Sequence, residues 1–192
     1  MSTRSETTRR LRDAARAAVI ADGIGGCRID RICKRAGLTR GAFYSNYSNL
    51  EELLSATLSE HLTVLTNRAL SLDAEWVETI TRFTPELYAL DGPEKIAALL
   101  LNVAVATGLT GEAELINMEI LTAAAHGWMP TLPLDAMRDA LTHVGRVVLT
   151  AAGRTPTTDD DTLGIILMRL TPRDALNANL ATTLFMALSE PD

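Results

Sequence analysis

Residues 28–46 place the tightest constraint on this chain, because two short helical stretches stand on either side of a glycine. The first stretch, from about Arg28 to Ala36, puts Ile29 and Ile32 on an inner face and leaves Arg28, Arg31, Lys34 and Arg35 outside. Gly37 then stops it, as a left-handed residue past a helix end does. Leu38 is expected to plug the gap between the helices, and Thr39 to cap the next one by accepting from a freed backbone N–H. That next helix holds Arg40 to about Asn46. Phe43 and Tyr47, four residues apart, share its packing face, so Arg40, Gly41 and Tyr44 point elsewhere. Helix, glycine turn, helix is the helix-turn-helix arrangement, whose second helix offers its N-terminal residues to base edges in the major groove.

Elsewhere, too, apolar residues recur every three or four positions and no strand-like alternation persists, which predicts an all-α protein. A first helix is expected from about Thr8 to Asp22, with Leu11, Ala14, Ala15, Ala18 and Val19 inside and Gly23 at its end; residues 1–7 are polar and expected to be disordered until DNA or packing fixes them. Asn49 with Glu52 has the capping-box spacing and opens a helix reaching about Leu70. Further helices are expected at 74–90 with a break before Pro85, at 93–109, 112–126, 134–151, 158–170 and 174–188. Residues 93–109 are apolar nearly all round and are expected to be central.

The net charge of -6 hides an asymmetry. Residues 1–50 carry ten Lys and Arg against four Asp and Glu; residues 51–192 carry eight against twenty. A basic end on an acidic body suits nucleic-acid contact through that end alone. Cys27 and Cys33 lack any metal-ligand pattern and read as reduced thiols of a cytoplasmic protein. His61, His126 and His143 are scattered without ligand spacing, and no nucleophile–base constellation occurs, so neither an enzyme nor a cofactor is expected. Arg9, Arg10, Arg12 and Arg16 break any signal-like apolar run, and the run from Ile96 to Leu109 is short for a membrane span.

Residues 9–62 resemble the TetR family of bacterial transcription regulators. The resemblance is carried by Leu11, Ala14, Ala15, Gly23, Ile29, Ile32 and Ala36, and most specifically by Gly37-Leu38-Thr39-Arg40-Gly41-Ala42-Phe43-Tyr44 with Asn46-Tyr47 and Glu51-Glu52-Leu53-Leu54. It implies a helix-turn-helix DNA-binding domain over residues 1–48 and a helical effector-binding and dimerisation domain over 49–192. It also implies a homodimer on double-stranded operator DNA, released by a small-molecule effector, with the last two helices forming the dimer interface. Cys27 stands where the family often has a threonine that caps the second helix and touches phosphate, Leu50 where a lysine often opens the fourth helix, and Arg16 where a core leucine is common.

Arg40 is the first choice for a base contact, since its fork fits the acceptors of guanine. Gly41 leaves room for the groove floor. Thr39 and Tyr44 are assigned to phosphate, Arg28 is a substitute phosphate contact, and Asn46 is open between phosphate contact and capping the turn. Trp76, Phe83, Tyr88, Met118, Trp128 and Met129 are candidates to line an effector pocket; at helical spacing the same residues also make plain core. Glu119 is expected to face solvent or a partner subunit, and His126 to be structural. The alternative to a DNA-binding regulator is a helical interaction module that binds a protein partner.

Overall fold

The computed structural model describes residues 3–84, 86–109, 111–129, 131–169 and 178–191, and most of them are helical. The helices are α1 (Arg4–Gly26), α2 (Ile29–Ala36), α3 (Arg40–Tyr44), α4 (Leu50–Leu70), α5 (Ala74–Phe83), α6 (Glu86–Ala89), α7 (Gly92–Thr107), α8 (Glu112–Ala125), α9 (Leu134–Ala151), α10 (Asp160–Arg169) and α11 (Ala178–Ala187). Two compact units result. One comprises Met1–Leu62 with Gly111–Leu132, the other Thr63–Thr110 with Pro133–Asp192. This packing division falls elsewhere than 48/49, because α8 joins the N-terminal helices.

In the first unit, α1 buries Leu11, Ala14, Ala15, Ala18 and Val19, the face expected from its spacing. The helix starts earlier than expected, at Arg4, because the Thr3 hydroxyl caps it by accepting from the Glu6 amide at 3.2 Å. Residues 4–7 are therefore helical, and Thr7 is buried. The helix breaks at Gly23, whose φ of 69° and ψ of 169° lie outside the helical region, and one further turn ends at Gly26. Ile116, Ile120 and Ala123 of α8 are buried in this unit, as are Leu53, Leu54, Leu58 and Leu62 of α4. Asn49 caps α4 through its Oδ1, which accepts from the Glu52 amide at 2.8 Å, while Glu52 reaches back to the Ser48 amide at 2.6 Å. The capping box thus forms, closed on Ser48 rather than on Asn49 itself.

The second unit is built around Leu72, Ile96, Leu99, Val103, Val144, Val148, Leu149, Leu163, Leu167 and Phe185. α5 and α6 are separate helices on either side of position 85, the break expected at the proline. α7 is less central than its composition predicts. It buries Ile96, Leu99, Val103 and Thr107, but Leu101 and Val105 are 51% and 67% exposed, because a single helix face suffices for this core. Glycines let α9 and α10 approach closely: a Cβ at Gly145 would meet Leu167 at 2.7 Å, and one at Gly164 would meet the Arg138 carbonyl oxygen at 3.1 Å. Leu163, Leu167 and Phe185 are buried inside the unit, whereas Ile165 and Leu180 are about half exposed. Leu170 and Leu176 lie outside the described residues.

Short strands occur where only loop and helix are expected. β1 (Arg154–Pro156) pairs antiparallel with β2 (Ser189–Pro191), Thr155 opposite Glu190. Arg154 fastens the pair, its guanidinium donating to the hydroxyl and carbonyl oxygens of Ser189, each at 2.7 Å. Among the described residues no single helix is long and apolar enough to cross a membrane.

Candidate nucleic-acid interface

The turn between α2 and α3 is built by local rules. Gly37 adopts φ 62° and ψ 39°, and the Leu38 amide bonds back to the Cys33 carbonyl at 2.9 Å. This reversal is cheap only for glycine, and it satisfies carbonyls the helix end would leave free. Arg10 of α1 satisfies another, donating to the Ala36 carbonyl oxygen at 2.6 Å. The start of α2 lacks such help. Arg28 occupies its N-cap without a side-chain hydrogen bond, and the Cys27 thiol donates instead to the Gly23 carbonyl at 3.3 Å. Burial, then the charges of Asp22 and Glu119, push the Cys27 thiol above its ordinary range; burial does the same at Cys33. Both are free, buried thiols, packed as small apolar groups.

Thr39 caps α3, its hydroxyl oxygen accepting from the Ala42 amide at 3.1 Å. The hydroxyl proton remains available to an outside acceptor. Phe43 anchors the helix with no exposure at all, and Tyr47 packs on it with ring centroids 6.1 Å apart. Tyr47 also takes a polar tie, because Arg12 donates to its hydroxyl at 3.0 Å and pairs with Glu60 at 3.0 Å. These bonds, the Tyr47 one first, hold the Arg12 guanidinium more firmly protonated than usual.

With the inner face fixed, the outer face carries Thr39, Arg40, Gly41 and Tyr44, all exposed. Tyr44 is 52% exposed and rests edge-on against Phe43, so its hydroxyl end projects. Among the described residues an added Cβ at Gly41 would meet only the Thr39 hydroxyl, at 3.6 Å, so none of them requires glycine there, and a side chain would reduce the clearance outside. Arg40 pairs with Asp30 of α2 at 3.2 Å. Asn46 has a structural employment: it donates to the Ala42 carbonyl at 2.7 Å, and the Thr8 hydroxyl reaches its Oδ1 at 3.2 Å, tying the end of α3 to α1. Arg28 folds back, donating to the Gly25 and Cys27 carbonyls at 2.9 and 2.7 Å. The structure therefore brings Thr39, Arg40, Gly41 and Tyr44 onto one surface, while Asn46 and Arg28 bond within the chain. Leu50, at the start of α4, is partly buried.

Along α1 an open cleft of about 580 Å³ is lined by Arg4, Ser5, Thr8, Arg9, Arg12, Asp13, Arg16 and Glu60. Arg9 there is paired with Glu6 and Asp13. Arg16, found where a core leucine is common in the family, approaches the buried His61 ring at 3.4 Å. Burial and then the Arg16 charge lower the His61 pKa below its ordinary 6.5. His61 Nε2 and Asn117 Oδ1 are both buried without a hydrogen-bond partner among the described residues.

Glu119 corrects its expectation. It is partly buried: its Oε2 accepts from the Ile24 amide at 2.7 Å, just past the break in α1, and its carboxylate lies against Gly23. Sequence reasoning had no signal for this, since the partners are 95 residues apart. The proposed effector residues divide between the units. Trp76 packs on the core of the second unit, and Phe83 of the same unit is 81% exposed. Met118, Trp128 and Met129 belong to the first unit, where Met129 is buried and Trp128 stacks on His126 at 4.9 Å. The Tyr88 side chain lies outside the described residues. Among the described residues no group of His, Cys, Asp or Glu is arranged to hold a metal ion.

Residues 11–57 match the family described as bacterial regulatory proteins, tetR family. Over 54 residues the chain is 39% identical to the HTH-type transcriptional regulator SrpR of Pseudomonas putida, covering 28% of this chain and 25% of that protein. It is likewise 39% identical over 54 residues to the uncharacterized HTH-type transcriptional regulator TtgW, also of Pseudomonas putida, covering 28% of this chain and 40% of that protein. The match thus spans less than half the length of either curated relative. Likeness of fold extends further. A solved structure described as a TetR-family transcriptional regulator from Mesorhizobium loti MAFF303099 covers 98% of the chain, and the chain covers 99% of it, at a TM-score of 0.56 and 17% identity. Another, described as a TetR transcriptional regulator from Streptomyces avermitilis MA-4680, covers 92%, with 87% of its own chain covered, at 0.51 and 18%. The sequence match lies on the very helices that expose Thr39, Arg40, Gly41 and Tyr44, so over residues 11–57 the chain is similar to the TetR family of bacterial regulatory proteins.

Proposed function

We propose that this chain is a dimeric, sequence-specific DNA-binding transcriptional regulator, a cytoplasmic repressor that a small-molecule effector releases from its operator. The observation that carries the reading is the exposed outer face of α3, where an arginine, a hydroxyl pair and an unshielded glycine stand on a basic, well-anchored helix-turn-helix. Members of the family are DNA-binding regulators rather than enzymes. Arg40 and Gly41 meet the major groove, and Thr39 and Tyr44 meet phosphate. Arg28 and Asn46 join them only by exchanging the internal bonds they make now. In functional terms residues 1–48 read DNA and 49–192 carry dimerisation and effector binding.

The half-exposed Ile165 of α10 and Leu180 of α11 support a partner subunit on these two helices. A two-fold dimer then presents two α3 helices about 34–36 Å apart, one turn of duplex. Effector binding shifts the equilibrium only as far as it favours one arrangement over the other. Trp76, Phe83, Tyr88, Met118, Trp128 and Met129 remain the pocket candidates.

The test is fluorescence anisotropy with duplex from upstream of the protein's own gene, titrated at several fixed salt concentrations. Tight, sequence-selective binding is expected, and Arg40→Ala with Tyr44→Ala should remove it. Unaltered binding by that double variant would refute the assigned surface.

A further inference from the structure

Between Gly23 and Leu50 the chain has five basic side chains and one carboxylate, Asp30. On a surface that meets phosphate, a lone carboxylate subtracts from the attraction. It lies in the first turn of α2, and its Oδ1 stands 3.2 Å from Nε of Arg40, the first residue of α3. The two side chains are 70% and 61% exposed, so the pair adds little stability. What it supplies is direction. With Nε beside Asp30, the two terminal nitrogens of Arg40 are left without a partner among the described residues. Of the other cations nearby, Arg28 bonds carbonyl oxygens, Arg31 stands 3.7 Å from Asp22 and Arg10 bonds the end of α2.

We propose that Asp30 is the positioning residue for Arg40, holding its guanidinium so that it reads the O6/N7 edge of a guanine rather than the nearest phosphate. The inference rests on the DNA-binding reading above and adds a source of specificity to it. A swinging arginine takes any phosphate oxygen, because phosphate contacts carry no sequence information. A guanidinium held at Nε keeps its plane and presents a two-pronged edge, which is what bidentate guanine recognition needs.

The experiment selects bound sequences from a library of randomised duplexes at one fixed salt concentration, using the full-length chain. Wild type, Arg40→Ala, Asp30→Ala and Asp30→Asn are compared, with affinity for one unrelated duplex measured alongside. Wild type should enrich a guanine at one position of each half-site, and Arg40→Ala should abolish that preference. Asp30→Ala should weaken the guanine preference by about tenfold while binding the unrelated duplex as tightly or more tightly, since a repelling charge has gone. Asp30→Asn, which keeps an acceptor for Nε without the charge, should recover part of the preference. Equal tightening on every sequence with the base preference intact would overturn the proposal, as a purely electrostatic role. So would parallel weakening on every sequence, as a structural one. If wild type itself selects no sequence, the DNA-binding reading falls and takes this inference with it; if wild type selects and Asp30→Ala selects identically, only the role of Asp30 falls.

Discussion

Replacing Glu119 by alanine should loosen the break in α1. The carboxylate accepts from the Ile24 amide at 2.7 Å, and without it that N–H, beside a buried isoleucine, loses its partner. Hydrogen bonds to charged groups contribute about 1.5–3 kcal/mol, and the partial exposure of Glu119 argues for the lower end, about 1.5 kcal/mol. For a chain of this size that is a fall in Tm of about 3–6 °C. Glu119→Gln, which keeps a neutral acceptor, should lose roughly half as much. Urea unfolding followed by far-ultraviolet circular dichroism measures the global loss. Amide hydrogen exchange at Ile24 measures the local one, with exchange about tenfold faster in the alanine variant. Stability unchanged within about 0.3 kcal/mol, or Ile24 exchanging no faster than in wild type, would show that the contact does not hold the segment.

Three further outcomes are expected. Gly164→Val forces a side chain toward the Arg138 carbonyl oxygen and should destabilise by about 1–3 kcal/mol, read as a lower urea midpoint at unchanged slope; a neutral result would mean that α10 can withdraw from α9 freely. His61 has a folded pKa below 6.5, so below that pH the unfolded chain binds the extra proton and the folded one resists it. Its contribution is complete above about pH 6.5 and is lost as pH falls, so His61→Gln should flatten the drop in Tm between about pH 7.5 and about pH 5.5, and an equal drop in both proteins would count against it. Tyr47→Phe removes the acceptor for Arg12 while keeping the ring on Phe43, and should cost about 1 kcal/mol, an effect that Arg12→Ala should largely absorb in a double-mutant cycle.

What the sequence made legible is what the chain decides locally. Gly37, Thr39 and Asn49 with Glu52 act on neighbours within a turn or two, and the structure uses each as its residue type suggests, while α5 ends at Phe83, ahead of Pro85. The inner and outer faces of α3 followed from the four-residue spacing of Phe43 and Tyr47. Illegible were the contacts between remote elements. The bond from Glu119 to Ile24 needs α8 beside α1, the strand pair needs Thr155 opposite Glu190, and no periodicity encodes either. Composition also overstated the burial of α7, since Leu101 and Val105 have the same hydropathy as the residues one face away. Of the interface, the positions on α3 were visible; that Arg28 and Asn46 spend their polar groups inside the chain was not, because an exposed arginine or asparagine reads alike whichever way it turns.

The membership of α8 in the first unit also bears on how the protein is made. Residues 1–62 leave the ribosome first, yet Ile116, Ile120 and Ala123, which are buried in their unit, follow only after a further stretch that belongs to the other one. At about 5–20 residues per second, the roughly 70 residues from 63 to 132 take some 4–14 s to synthesise. For those seconds the helix-turn-helix exists without its full apolar support. A nascent chain stalled before α8 should be readily cut by protease within α1, and one stalled well past residue 132 should resist.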